Sequence, residues 1–263
     1  MAVALNRYVE VDVREADEFS ITTSGAGAGR FDDERHLAAV VAASVLGHRR
    51  FALHVHSDIP LSRGLGSSAA LALAAAAAAG SSDPLRVAVA CDGHAENAAA
   101  SWRGGLVVAD ARDDEVVVMD LALDRAWRFV VVIPDVELPT ADARRVLPAL
   151  VPLADAVANL TSLGLLIAGL ADHRAFVAGS MRDRLHQPFR AGLLPFAEPL
   201  MAALRGAGAL DACWSGAGSS VLGLATADAA DEVVRGARTF LDGAGVDARV
   251  EVLKADRSGL VVR

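Results

Sequence analysis

"PLSRGLGSSAALALAAAAAAG" spans residues 60–80, and its reading decides the fold. Gly64, Gly66, Ser67 and Ser68 stand directly before a run of small, strongly helix-forming residues. A helix N-terminus leaves backbone N–H groups unpaired and carries the positive end of the helix dipole. Glycines let the chain wrap closely around an anion, and serine hydroxyls can cap the helix, touch a phosphate or reach a divalent cation. The pattern predicts a phosphate cradle opening a helix; an ordinary turn with a serine cap fits the same spacing. A P-loop needs GxxxxGK[ST], and the one lysine of the chain, Lys254, lies far away. A dinucleotide fingerprint needs a third glycine where "GLGSSA" has Ala69, and a βαβ rhythm that this chain lacks.

Working outward, "DDERHLAAVVAASVLG" gives a helix over 32–47 and "FALHVHSDIP" a strand over 51–60, with Phe51, Leu53 and Val55 on one face and His54 and His56 on the other. Short strands are expected at 7–13 and 18–23, with "SGAGAGR" (24–30) as a loop, and a short helix near 84–90. "GGLVVAD" and "DEVVVMDL" read as two strands, and "RFVVVIPD" (128–135) as a central strand. Helices follow near 141–147, 153–170, 172–181 and 193–207, then strand, glycine loop and strand over 208–225, a helix over 228–245 and a last strand at 248–255. This mixture predicts an α+β class with a division near residues 125–130.

The 263 residues are 53% hydrophobic and 22% charged, enough apolar material for a sizeable core and too little polar tract for disorder. A formal net charge of -8 argues against a nucleic-acid partner. The alanine-rich run at 69–79 is too short to span a bilayer, and no signal peptide is read at the N-terminus, so no membrane partner is expected and the location expected is cytoplasmic. Cys91 and Cys213 lack metal-ligand spacing and read as buried thiols of a reducing compartment.

A second glycine loop, "SGAGSS" at 215–220, changes the weight of the first. "PLSRGLGSSAA" (60–70) resembles the central phosphate-binding motif of the galactose, homoserine and mevalonate (GHMP) kinases, and "SGAGSS" resembles their C-terminal glycine motif. Within that superfamily "DGHAENAAASWRGGLVV" (92–108) resembles the homoserine kinase pattern "EGHPDNVAPALLGGLVV". "VVVIPDVELPTADARRVLP" (130–148), "DAVANLTSLGLLIAGL" (155–170) and "MRDRLHQPFR" (181–190) extend the likeness, which covers residues 1–258.

The resemblance implies an α+β, two-lobed GHMP kinase fold: an N-terminal lobe over 1–127 with the phosphate loop and the ribosomal protein S5 domain 2-like topology, and a C-terminal α/β sandwich lobe over 128–263. It implies transfer of the ATP γ-phosphoryl group to L-homoserine, with ATP and Mg²⁺ as cofactors. Pro60, Arg63, Gly64, Leu65, Gly66, Ser67, Ser68 and Ala69 would hold the nucleotide. Ser68 and Asp92 would hold the metal; Asp92 is one methylene shorter than the family's glutamate, and Glu96 replaces the family's aspartate.

Asn97, Thr140 and Arg144 are the expected catalytic residues. Asn97 would orient the acceptor hydroxyl, since an amide is no strong base, and the resemblance, to a family that lacks the catalytic aspartate of some relatives, implies no dedicated base. Thr140 and Arg144 match "T-x-x-A-R" and share a helix face, with Arg145 as solvated neighbour. His94, Asn97, Arg184, Arg190, Gly216 and Gly218 are the expected substrate contacts, and the choice between Arg184 and Arg190 stays open. His186 reads equally as a packed histidine. At 217–220, Ala217 precedes Gly218, and Ser219–Ser220 replace the family's proline-containing pair.

Homoserine kinases open with a strand and a segment resembling "PATSANLGPGFDTLGLAL", whereas "MAVALNRYVEV" matches the stretch directly after that segment. The first strand and first motif are therefore expected to be absent, with a start assigned too far downstream as the explanation. A homodimer is a further expectation of the resemblance. Rival readings are a GHMP kinase with another acceptor, a non-catalytic nucleotide-binding scaffold, and a plain structural domain.

Overall fold

The computed structural model describes residues 1–113 and 115–263, and its contacts divide the chain into two units. The first comprises Met1–Leu61, Gly66–Leu121 and Ala255–Arg263; the second comprises Ser62–Leu65 and Ala122–Lys254.

The first unit holds β1 (Ala2–Val3), β2 (Val9–Glu15), β3 (Ser20–Gly25), α1 (Leu37–Leu46), β4 (Phe51–Ser57), α2 (Ser67–Ala78), α3 (Pro84–Asp92), α4 (Ala95–Arg103), β5 (Leu106–Ala111) and β6 (Val116–Leu121). One sheet runs β2-β4-β3, with β4 antiparallel to β2 and parallel to β3; the other runs β1-β5-β6, antiparallel throughout. β4 alternates as its sequence dictates: Phe51, Leu53 and Val55 are buried while His54 faces solvent.

The alanines of α2 have a packing reason. Ala69, Ala70, Leu71, Ala72, Leu73, Ala75 and Ala76 are all buried, so this helix has no single apolar stripe. Small side chains let α1, α3 and α4 approach it within one core cluster that includes Ala38, Val41, Ala88 and Ala99. The C-terminal tail returns to this unit, where Ala255 bridges to Leu5 and Leu260 N donates to Trp102 O at 3.1 Å.

The second unit holds β7 (Trp127–Pro134), α5 (Thr140–Arg145), α6 (Leu153–Ala171), α7 (Gln187–Arg190), α8 (Ala197–Gly206), β8 (Asp211–Trp214), β9 (Val221–Thr226), α9 (Ala230–Ala244) and β10 (Ala248–Leu253). Its antiparallel sheet has the order β10-β7-β9-β8. β7 is an interior strand, buried at every residue except Arg128, which explains its dense β-branched composition. α8 and α9 cover the sheet through Leu200, Leu204, Val233, Ala237 and Leu241. Both units mix helices with sheets, the α+β class expected.

Three helices depart from expectation. α1 starts at Leu37, not 32, because Asp33 accepts from the Arg35 backbone N and guanidinium, and the His36 ring accepts from Ala38 N. Such local side-chain bonds compete with helix. The helix expected over 172–181 is a single 3₁₀ turn, His173–Ala175. Asp124 accepts from His173 N at 3.1 Å and holds its ring Nδ1 at 2.6 Å, while Asp172 takes Arg174 N, so side chains absorb the amides that helix would use. α8 begins at Ala197 because Pro195 forces Leu194 into extended backbone. α4 was not expected, and Asp114, assigned to the strand that became β6, lies outside the described residues.

Candidate functional site

In the first unit the N-terminus of α2 is opened by Gly66, whose φ of 71° lies in the left-handed region. No side chain caps this end among the described residues: Ser67 Oγ turns to Ile59 O at 3.5 Å, and Ser68 Oγ donates to the Asp92 carboxylate. The serine cap of the alternative turn reading is therefore not formed, and the first-turn amides keep the helix's positive end.

Asp92 is the last residue of α3, and only Gly93 and His94 separate it from α4. That tight corner, made possible by Gly93 at φ 69°, turns Asp92 and His94 to the same place. His94 Nδ1 lies 2.8 Å from the Asp92 carbonyl and 3.1 Å from its Oδ2, and since both are acceptors Nδ1 carries the proton. Asn97 and Glu96 occupy the first turn of α4, where a carboxylate suits the dipole. A methyl group added to Gly66 would meet Asn97 Cγ at 3.7 Å, so the amide stands beside the start of α2. Thus Gly66, Ser68, Asp92, His94 and Asn97, scattered over 32 positions, come together.

In the second unit the two glycine loops interlock. Ser215 Oγ donates to Gly64 O at 2.8 Å and Ser220 N to Arg63 O at 3.2 Å. A Cβ on Gly64 would lie 2.0 Å from Ser215 O and 2.8 Å from Gly218 O, so only glycine permits this approach. Arg63 Nε donates to Pro134 O at 2.8 Å, tying the loop to the end of β7. Ser219 Oγ donates to Val136 O.

Arg190, buried at the end of α7, donates through Nε to Ala143 O of α5 at 3.1 Å and through one terminal nitrogen to Gly216 O at 3.2 Å. The same nitrogen lies 3.2 Å from His186 Nδ1; arginine only donates, so Nδ1 is the acceptor and the His186 proton sits on Nε2, 3.5 Å from Asp183. Burial pushes the Arg190 pKa below its ordinary value and that of His186 below the usual histidine range. Arg184, by contrast, is exposed and pairs with Asp155 at 3.2 Å. Thr140 and Arg144 lie on one face of α5, both exposed, and Arg145 pairs with Asp142 at 2.7 Å.

The sequence reading missed Asp183. Its two oxygens accept from His186 N (2.7 Å), Gln187 N (2.6 Å), Leu185 N (3.2 Å) and Asn159 Nδ2 (2.7 Å), which holds the α7 turn and hence Arg190. Burial opposes its charge, but these bonds leave its pKa lowered. The signal was present: an aspartate shortly before "HQP" is a helix-entry pattern. Cys91 corrects another expectation, since it is exposed; Cys213 is half-buried, and desolvation pushes its thiol up to about 12.

Residues 35–105 match the GHMP kinases N terminal domain, and residues 156–243 match the GHMP kinases C terminal domain. The class is thereby a GHMP kinase. The chain is 36% identical over 248 residues to a homoserine kinase of Thermus thermophilus, covering 89% of this chain and 84% of that one. It is 35% identical over 238 residues to a homoserine kinase of Moorella thermoacetica, covering 84% and 80%. The crystal structure of homoserine kinase from Cytophaga hutchinsonii superposes with a TM-score of 0.84 at 28% identity, over 98% of this chain and 89% of that one. Mevalonate kinase of L. major shares the fold alone, at a TM-score of 0.73 and 17% identity. The chain belongs to the homoserine kinase family.

Proposed function

We propose that the chain transfers the γ-phosphoryl group of ATP to the side-chain hydroxyl of L-homoserine, giving O-phospho-L-homoserine and ADP. The observation that carries the reading is the uncapped, glycine-opened start of α2 with Ser68 bonded to Asp92 beside it. A triphosphate suits these amides, and Gly64, Gly66, Ser67 and Ser68, with Pro60, Arg63, Leu65 and Ala69 shaping the stretch, are assigned to hold it. The donors next to Ser68 are oxygens of a hydroxyl and a carboxylate, the set that Mg²⁺ prefers, so Ser68 and Asp92 are assigned to the metal. Mg²⁺ held by Ser68 and Asp92 with ATP would neutralise charge on the phosphate oxygens.

Asn97 orients the acceptor hydroxyl, and His94 joins it at the same corner. Arg190 is assigned to the homoserine carboxylate in preference to Arg184, which its pair with Asp155 holds at the surface. Gly216 and Gly218 shape the loop beside Arg190 and Gly64. Thr140 and Arg144 act on the transferring phosphate from one helix face. With no dedicated base, the rate rests on in-line placement and charge stabilisation. The N-terminal lobe carrying α2 is assigned the ribosomal protein S5 domain 2-like topology.

ADP release by this chain with ATP and Mg²⁺ tests the reading, with L-homoserine present, absent, or replaced by L-serine or mevalonate. Release that requires L-homoserine, with O-phosphohomoserine formed, supports it. Tight ADP binding by folded protein without turnover on any acceptor supports the non-catalytic scaffold instead.

A further inference from the structure

A guanidinium has N–H donors on Nε and on both terminal nitrogens, and the second unit uses two of those nitrogens of Arg190 to hold it. Nε donates to Ala143 O at 3.1 Å, and Nη1 reaches Gly216 O and His186 Nδ1, each at 3.2 Å. These bonds to α5, the 215–220 loop and the entry of α7 fix the guanidinium plane. Nη2 makes no hydrogen bond among the described residues and is not fully enclosed, so its N–H groups remain for a carboxylate.

Of the three acceptors, His186 is the conditional one. A carbonyl accepts at any pH, whereas Nδ1 accepts only while the ring is neutral. Asp183 selects the tautomer that leaves Nδ1 bare, because its carboxylate lies 3.5 Å from Nε2. That carboxylate is itself anchored by Asn159 Nδ2 at 2.7 Å and by the amides of Leu185, His186 and Gln187. Asn159, on α6, also accepts from Arg184 N at 2.8 Å. Protonation of His186 would turn Nδ1 into a donor facing a donor and set two cations 3.2 Å apart.

The charges around the ring come from several elements. Asp183 favours its protonation and Arg190 opposes it, while Arg144 of α5 acts against the charge of Arg190 in turn. Asp155 of α6 is taken by Arg184, and Asp211 of β8 by the amides of Gly179 and Met181. Cys213 of β8 stays a neutral thiol beside Asp183 and Asp211. Burial outweighs Asp183, and the ring's pKa lies below the usual histidine range.

We propose that His186 is a positioning residue that makes capture of the substrate carboxylate conditional on pH: neutral, it aims Arg190, and protonated, it releases it. The proposal rests on the assignment of Arg190 to L-homoserine and adds a gate that acts on binding, not on phosphoryl transfer.

KM for L-homoserine and kcat, measured from pH 7.5 to 5 at saturating ATP and Mg²⁺, test it in the unmodified chain, His186→Asn and His186→Leu. Asparagine places an oxygen where Nδ1 stands and does not titrate, so titrations common to both chains cancel in a ratio. The KM of the unmodified chain relative to His186→Asn should rise below about pH 6.5 and approach about tenfold per pH unit, with the kcat ratio within about twofold. His186→Leu should keep its circular dichroism at pH 7.5 with KM raised about tenfold. Nitrogen-15 NMR of the imidazoles reads the unmodified chain without turnover: His186 should be neutral at pH 7.5 with its proton on Nε2. A flat KM ratio, or a ring protonated on Nδ1, overturns the gate and leaves the kinase reading intact. A folded chain with no homoserine-dependent turnover at any pH overturns that reading, and the gate with it.

Discussion

Gly64 and Gly66 stand two residues apart with the same φ of 71°, and the structure separates what each is for. Replacing either by alanine places a Cβ in the left-handed region, at about 1 kcal/mol. At Gly66 that is nearly the whole cost, because the nearest foreign atom is Asn97 Cγ at an ordinary 3.7 Å. At Gly64 the methyl would lie 2.0 Å from Ser215 O and 2.8 Å from Gly218 O, both backbone atoms. The loops must part, which removes the bonds from Ser215 Oγ to Gly64 O and from Ser220 N to Arg63 O. At about 1 kcal/mol for each bond, Gly64→Ala should cost about 3 kcal/mol against about 1 for Gly66→Ala. For a chain of this size that is a fall in Tm of about 10 °C against about 3 °C. Urea denaturation followed by tryptophan fluorescence suits the comparison, since Trp214 is buried next to the loop. The functional order should be reversed per unit of stability lost: Gly66→Ala crowds the amides of α2 and should weaken ADP binding in a fully folded protein. Equal stability losses at the two positions would refute the claim that Gly64 exists for the loop–loop approach.

Arg190→Met should lower kcat/KM for L-homoserine by on the order of 10², about 3 kcal/mol, while ADP affinity by calorimetry stays within about threefold; an equal loss of both would assign Arg190 to the loop's structure instead. Stability should fall as pH drops below about 6.5, because burial lowers the His186 pKa and the unfolded chain then binds more protons than the native one. His186→Gln should flatten the urea-measured slope between pH 6.5 and 5, and an unchanged slope would count against the neutral, Arg190-accepting histidine. With a thiol reagent at pH 8, one cysteine per native chain should react, Cys91, and the second mainly in guanidinium, because the half-buried Cys213 has its thiol pushed up to about 12.

The legible and the hidden parts of this chain divide along a physical line. Strand β4 and strand β7 were legible because burial on one face or two writes its period directly into the residues. The glycine loops were legible as backbone requirements, since a run of small residues with positive φ has few other uses. The 172–181 helix was misread because its amides are taken by Asp124 and Asp172, one of them 49 residues from its partner, and no local pattern reports that. Asp183 was passed over for the opposite reason: three of its four N–H donors are local, yet a charged residue in a turn reads as solvated until those donors are seen.

α6 was placed correctly at 153–170, yet its apolar composition reads as a core helix, and composition cannot distinguish a residue covered by its own chain from one left for another. Gly164 is the residue that breaks the ambiguity. In a core helix a glycine answers to a neighbour, as Gly169 answers to Phe176, whereas Gly164 has no neighbour and still stands where alanine would make the better helix.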